Sequence, residues 1–151
     1  MALNRGFIGR VYPSADSVQI CREKIREFAT AIGDTNPISH DVSAATAAGH
    51  PDLVAPPTFA FTLTMKAMAQ VMTDPALGMN FAMVVHGEQR FFMHRPIVAG
   101  DALVVSTKVA DIAVKGSNEV LTTRSELYDA EGDTVAVTNE VIVSRGTAEQ
   151  S

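Results

Sequence analysis

The spacing of apolar residues changes halfway along the chain. In residues 22–32 they recur every three to four positions, which predicts a short amphipathic helix. Residues 43–48 predict a second short helix, ended by Gly49. From residue 58 to residue 72 nearly every position is apolar, and two prolines come just before, so we expect a helix that is buried on all sides.

The second half of the chain has the pattern of strands. Four segments separated by turn residues predict them: residues 81–92, 101–109, 119–128 and 134–144. The last segment alternates valines with other residues, which predicts one buried and one wetter face. A further, early strand is predicted over residues 9–18. Because the later connections are short, the sheet should be antiparallel. We expect one α+β domain over residues 1–151, a hot-dog fold in which a curved antiparallel sheet wraps a long buried helix.

Composition narrows the functional classes. The chain is 46% hydrophobic and 19% charged, as in soluble globular domains. No apolar run reaches the roughly 18 residues of a membrane span, and no secretory signal is visible, so we expect no membrane partner. The net charge is −5 without a cluster of Lys or Arg, which argues against nucleic acid. The single cysteine, Cys21, fits a reducing compartment, and we expect a cytoplasmic protein.

The segment after the first predicted helix holds most of the candidate chemistry. Gly33 and Pro37 should end that helix, because glycine accepts a left-handed cap and proline cannot continue a helix. Asp34, Asn36 and His40 then lie on one turn, where acid/base chemistry is feasible. An alternative interpretation of the same residues is an Asx-type turn, in which Asp34 and Asn36 bond only the local backbone.

Three segments together carry a resemblance to a known family. They are residues 33–37 (Gly-Asp-Thr-Asn-Pro), 49–57 (Gly-His-Pro-Asp-Leu-Val-Ala-Pro-Pro) and 95–103 (Arg-Pro-Ile-Val-Ala-Gly-Asp-Ala-Leu). In these segments the chain resembles the MaoC-like, or hydratase-2-like, hot-dog dehydratases of 3-hydroxyacyl thioesters. It is most similar to the HadA-type subunits with a MaoC dehydratase N-terminal domain, which pair with a second MaoC-like subunit in fatty acid biosynthesis. The resemblance implies a homo- or heterodimer of hot dogs and an acyl-CoA or acyl-ACP substrate.

The family's catalytic segment reads Gly-Asp-x-Asn-Pro-aliphatic-His-x-Asp, and its Asp and His handle the proton and the water at C2 and C3 of the thioester. Asp34 matches that Asp, and Asp41 matches the trailing one. Ser39 therefore occupies the histidine position, and His40 comes one residue late. A shift of one residue turns a side chain by roughly 100° in a helix and roughly 180° in a strand. His40 can act with Asp34 only if the turn is remodelled.

A second departure concerns the start of the buried helix. Active members of the family have a His-Gly pair there, and the Gly N–H polarises the thioester carbonyl. The matching residues are Pro56 and Pro57, and proline has no N–H. Losing one such donor typically costs about 10²–10³ in rate. The two departures predict a chain that catalyses poorly alone and forms part of the acyl channel for a partner.

These considerations give a set of candidate site residues. The catalytic candidates are Asp34 and His40. The substrate-binding candidates are Asn36, Ser39, Pro57, Thr58, Phe59 and His86. Each of the latter also has an ordinary structural interpretation as a turn, core or strand residue. Arg90 and Arg95 flank the predicted mouth, where they could meet a phosphate or simply be solvated strand ends.

No metal or cofactor is expected, because the four histidines and one cysteine show no ligand spacing and no Gly-rich phosphate loop is present. The leading hypothesis is a subunit of a (3R)-hydroxyacyl-thioester dehydratase, a lyase, with catalysis largely in a partner. Three alternatives stay open: a self-sufficient homodimeric enoyl-thioester hydratase, a hot-dog thioesterase, and an acyl-thioester-binding protein without turnover. The acyl length and the carrier stay open too.

Overall fold

The structure is a computed structural model, and it describes residues 2–14 and 16–148. The helices are α1 (Arg22–Ala31), α2 (Val42–Ala47) and α3 (Ala60–Thr73). The strands are β1 (Val11–Pro13), β2 (Val18–Gln19), β3 (Val84–Met93), β4 (Ala102–Lys115), β5 (Asn118–Tyr128) and β6 (Thr134–Ser144). All the predicted helices are confirmed to within two residues at each end. A 3₁₀ turn, Pro57–Phe59, leads directly into α3.

The end of α1 positions the segment that carries the family resemblance. Gly33 has φ +72°, in the left-handed region where a side chain would be strained. This conformation lets the N–H of Asp34 bond the carbonyl of Ala29 at 2.8 Å, which closes the helix. The chain then leaves α1 as a compact turn over residues 34–41.

The strands form one antiparallel sheet in the order β1-β4-β5-β6-β3, with β2 also paired to β4. With α3 packed against β4, β5 and β6, this is the expected α+β hot-dog fold. The early strand predicted over residues 9–18 is wrong as one element, since β1 and β2 are separate short strands. The third strand begins later than predicted, because Phe81–Met83 form a 3₁₀ turn capped by the side chain of Asn80.

The core between α3 and the sheet has two apolar parts with polar side chains between them. One part includes Phe59, Leu63, Leu103, Val105 and Leu127, and the other includes Met68, Val71, Val109, Leu121 and Ile142. We call the buried polar side chains between them the polar layer. Its members are Thr107 of β4, Thr123 and Ser125 of β5, and Thr138 and Glu140 of β6. The core-facing side of β6 is therefore its Ala136–Ile142 series, which contains a glutamate, while Val141 and Val143 on the other side are half-buried.

Helix α3 is not buried on all sides, and that prediction is wrong for the chain as described. The side of α3 with Met65, Lys66 and Gln70 is exposed, and Met65 keeps 47% of its accessible surface. Among the described residues no helix combines the length and apolar character needed to cross a membrane.

Candidate functional site

The turn after α1 is built from its own polar side chains. The Asp34 carboxylate accepts the N–H of Asn36 at 2.9 Å, and the Asn36 side-chain oxygen accepts the N–H of Ile38 at 3.3 Å. Both bonds span two residues, which is the geometry of Asx turns. These contacts agree with the alternative interpretation of Asp34 and Asn36 as turn formers. Asp34 also lines a cavity.

Ser39 occupies the position of the family's histidine and is buried, with 2% of its surface exposed. Its hydroxyl donates to the carbonyl of Val54 at 2.6 Å, and the N–H of Val54 donates to Ile38 at 2.9 Å. These two bonds tie the turn to the segment that precedes α3. Ser39 thus joins two walls of the site, with its hydroxyl already engaged.

His40 is half-buried, and its ring is held by the backbone of the same turn. Its Nε2 lies 2.6 Å from the main-chain oxygen of Asp34. Because a carbonyl only accepts, Nε2 carries the hydrogen in this contact. The main-chain oxygen of His40 is in turn bonded by Arg26 Nε at 3.0 Å. His40 is not among the residues that line the cavity, so its ring and the Asp34 carboxylate do not converge there.

The cavity has a volume of about 430 Å³ and lies between the turn, the segment before α3 and the end of β3. Such a volume is within the usual range for small-molecule sites. The lining residues are Asp34, Asn36, Ile38, Ser39, Val54, Ala55, Pro56, Pro57, Met93, His94, Arg95 and Pro96. Three of the predicted site residues besides Asp34 are therefore brought together: Asn36, Ser39 and Pro57.

One wall of the cavity offers no available backbone donor. The four consecutive residues 54–57 form this wall. The N–H of Val54 is bonded to Ile38, and the N–H of Ala55 donates to Ile97 at 2.8 Å. Pro56 and Pro57 have no N–H at all. A thioester carbonyl placed against this wall would meet no hydrogen-bond donor from these four residues.

The remaining predicted site residues lie elsewhere. Thr58 is exposed and lines neither this cavity nor the one between α1 and α3. Phe59 lines a second, separate cavity. His86 is exposed on β3, with Nε2 3.1 Å from the carbonyl of Glu88 and its ring 5.4 Å from that of Phe61. None of these three residues lines the cavity below the Asp34 turn, and their role in substrate binding stays a prediction.

Arg95 lines the cavity, and its charge is already paired with acidic side chains. Its guanidinium bonds Asp101 at 2.9 and 3.0 Å and Asp129 at 3.2 Å. The bond to Asp101 raises the pKa of Arg95, and Asp129 adds to this effect. The pKa of Asp129 is lowered, first by the N–H of Asp133 and then by Arg95. Arg90 pairs with Glu88 on the exposed strand.

His94 is a lining residue that the sequence pattern did not single out. It follows β3, and its N–H donates to Val135 at 2.9 Å. The hydroxyl of Tyr128 is the main cause of the low pKa of Glu126, and His94 contributes to it as well. His94 lines the cavity directly after the end of β3. In the sequence, the only indication that His94 belongs to the site is its position directly before Arg95 and Pro96.

Comparisons with known proteins agree with this architecture. Residues 6–138 match the family model described as FAS1-like, dehydratase domain region. A UPF0336 protein of Parafrankia sp. is 53% identical over 148 residues, which cover 98% of this chain and 98% of that protein. A MaoC-like dehydratase of known structure is 28% identical with a TM-score of 0.87. The match covers 93% of this chain but only 43% of that one.

A third similarity is to the C-terminally truncated HadBC complex, a 3R-hydroxyacyl-ACP dehydratase of Mycobacterium tuberculosis. Identity is 25% and the TM-score is 0.82, and the match covers 91% of this chain and 96% of that chain. Together with the hot-dog sheet and the Asp34 turn, the family match identifies the chain: it belongs to the hot-dog dehydratases of the FAS1-like dehydratase-domain family.

Proposed function

We propose that this chain is a subunit of a (3R)-hydroxyacyl-thioester dehydratase and that most of the catalytic chemistry comes from a partner subunit. The observation that carries the proposal is the cavity below the Asp34 turn. It has the carboxylate of the family motif, but the His40 ring is bonded to the backbone away from it and the opposite wall lacks an N–H donor.

The reaction needs a base that removes a proton from C2 and an acid that releases the C3 hydroxyl as water. It also needs a donor for the negative charge that develops on the thioester oxygen. In this chain Asp34 is the candidate for the base that removes the proton from C2. The intact Asp and His pair and the donor would come from the partner, while this chain supplies a wall of the site.

The long edge strand supports a partner. Strand β3 pairs with β6 on one side only, so the backbone of its other edge is open in the described chain. Val85 and Phe92 on this strand keep 39% and 49% of their surface, and Met65 on α3 is exposed as well. A long, apolar, open edge invites pairing with another strand. A second hot dog paired along β3 would cover both the open backbone edge and the exposed apolar side chains.

Two relatives point the same way. The M. tuberculosis relative is a complex of two different chains, which act on 3R-hydroxyacyl-ACP according to its name. The MaoC-like dehydratase is a longer chain, in which more than half lies outside the match. Both arrangements leave room for a second unit that completes the site, and they support a hydroxyacyl thioester as the substrate class.

The first test uses the purified chain alone. Hydration of a short enoyl-CoA is followed in the ultraviolet, and we expect no turnover above that of an Asp34→Asn variant. Robust turnover that is lost in Asp34→Asn and His40→Gln, but kept in His50→Gln, would replace this proposal with a self-sufficient hydratase. His94→Gln tests whether the histidine that lines the cavity takes part in turnover. Release of free thiol in the same assay would indicate a thioesterase.

The second test looks for the partner. The tagged chain is purified from the cells that make it, and copurifying proteins are identified by mass spectrometry. We expect a hot-dog chain with an intact Gly-Asp-x-Asn-Pro-aliphatic-His segment, and the reconstituted pair should hydrate enoyl thioesters. In the pair, replacing the partner's His should abolish turnover, whereas His40→Gln in this chain should reduce it less than about twofold. A pair that binds acyl thioesters without turnover would make the chain a binding protein instead.

A further inference from the structure

A second cavity lies outside the proposed site, between α1 and α3. Its volume is about 400 Å³ and it opens to the surface as a groove. The residues that line it are Val18, Lys24, Glu27, Phe28, Ala31, Phe59, Thr62, Leu63 and Lys66. None of them lines the cavity below the Asp34 turn. The dehydratase chemistry proposed above uses none of these side chains.

The floor of the groove is apolar and firmly packed. Helix α1 contributes four residues at the i, i+3, i+4 and i+7 positions, and the same spacing relates Phe59, at the end of the 3₁₀ turn, to three residues of α3, so one face of α1 opposes one face of α3. The rings of Phe28 and Phe59 meet edge to face with centroids 5.4 Å apart. Phe59 and Leu63 are almost fully buried, whereas Ala31 is exposed at the mouth. The groove is therefore a preformed apolar slot with a small side chain at its opening.

Two lysines mark the rim, one from each helix. Lys24 comes from α1 and Lys66 from α3, and both are exposed. Neither makes an ion pair in the part of the chain that the structure describes, whereas the nearby Arg22 and Arg26 pair with acidic side chains. The only carboxylate that lines the groove is Glu27, so the rim carries a net positive charge. This local charge contrasts with the net charge of −5 of the whole chain.

We propose that this groove binds a free long-chain fatty acid, with the chain on the floor between α1 and α3 and the carboxylate held by Lys24 and Lys66. An apolar slot of this volume favours a flexible hydrocarbon. The lysine stems can lie along the chain while their ammonium groups stay in water. A free acid carries a negative charge that the two lysines can bind, whereas a thioester is neutral at that carbon.

The binding assay uses cis-parinaric acid, a fluorescent fatty acid, with the purified chain and no thioester present. Dodecanoate should displace the probe, and methyl dodecanoate and dodecan-1-ol should do so at least about tenfold less well. Raising the ionic strength should weaken the binding of dodecanoate more than that of the alcohol. Equal displacement by acid and ester, or stronger displacement by dodecanoyl-CoA, would overturn the assignment of a free acid.

A pair of matched variants tests the location. Ala31→Trp fills the mouth of the groove, and Ala47→Trp makes the same change at another exposed residue that ends a helix, α2. We expect Ala31→Trp to weaken cis-parinaric acid binding by at least about tenfold, with no change in Ala47→Trp. Far-ultraviolet circular dichroism checks that both variants fold. An equal Kd in the two folded variants would rule out the groove.

Charge-reversal variants test the lysines, and because they lie on the surface they answer even if Ala31→Trp does not fold. The double variant Lys24→Glu, Lys66→Glu should weaken dodecanoate binding by about tenfold. The control is Lys108→Glu, Lys115→Glu, which reverses two exposed lysines of β4. Equal affinities in the two double variants would overturn the role of Lys24 and Lys66. Since no partner or enoyl substrate is involved, these results stand whether or not the dehydratase proposal holds.

Discussion

The Asp34 turn and the polar layer of the core use the same kinds of side chain in opposite ways. In the turn, Asp34 and Asn36 each bond a backbone N–H only two residues away. In the polar layer, Glu140 accepts hydrogen bonds from Thr123 at 2.8 Å and from Gln89 at 3.2 Å, which are 17 and 51 residues away in the chain. One region forms locally, and the other exists only once three strands have assembled.

This difference has an energetic consequence. A turn at the surface can exchange its hydrogen bonds for water at small cost. A carboxyl group at 0% exposure cannot, and Glu140 has neither Lys nor Arg among its bonded partners in the described chain. Only hydroxyl and amide donors offset the burial of the Glu140 carboxyl group. Removing any one of these donors should therefore lower the free energy of unfolding.

Replacing Glu140 should have the largest effect on stability. Glu140→Ala removes the acceptor for Thr123, Thr138 and Gln89 and leaves a void under α3. We expect a loss of about 2–4 kcal/mol in the free energy of unfolding, measured by urea denaturation. Glu140→Gln keeps the shape and should lose less. If Glu140→Ala cost no more than an exposed substitution such as Glu131→Ala, the polar layer would not be a stabilising feature.

Ser39 should come second, because it connects the turn to the rest of the site through a buried bond. Ser39→Ala leaves the carbonyl of Val54 without the hydroxyl donor at 2.6 Å. We expect a loss of about 1–2 kcal/mol, again from urea denaturation. Ser43→Ala, an exposed serine at the start of α2, is the control and should lose less than about 0.5 kcal/mol. Equal losses would mean that Ser39 belongs with the local, weak contacts.

Asp34 should come third in its effect on stability. Asp34→Ala removes one turn bond to Asn36, and the exposed N–H can turn to water. The expected loss in the free energy of unfolding is about 0.5–1 kcal/mol. The same change should reduce turnover of the reconstituted pair if Asp34 contacts the substrate. A loss of stability larger than that of Ser39→Ala would contradict the contrast between local and long-range polar contacts.

The smallest expected effect concerns acid and the cluster around Arg95. Asp129 has a lowered pKa, so its contribution is present above the pKa of the unfolded chain, about 4, and is lost as pH falls through the lower folded value. Stability should therefore decline on acidification below about pH 4. Arg95→Met should make this decline shallower, as measured by melting temperature against pH. An unchanged slope would show that the backbone N–H groups of Asp133 and Glu131 lower the pKa of Asp129 without Arg95.

Much of the fold followed from local patterns. Helical spacing located α1 and α2, and the limits predicted for the last strand were those of β6. The predicted family was confirmed too, because its signature lies in turns whose bonds span few residues. Among the site residues, Asp34, Asn36, Ser39 and Pro57 do line one cavity. Thr58, Phe59 and His86 lie outside this cavity, because their positions depend on how α3 and β3 pack against distant segments.

The sequence by itself determined the helices, the limits of the last strand, the turn chemistry of residues 34–41 and the absence of an N–H at Pro56 and Pro57, since all of these depend on residues close together in the chain. Only the tertiary structure decided that the His40 ring is bonded to the Asp34 backbone, that Glu140 faces the core, and that Lys24 and Lys66 border one groove. These outcomes depend on contacts between segments far apart in the chain, and a periodic pattern carries no information on which of two faces will meet which neighbour.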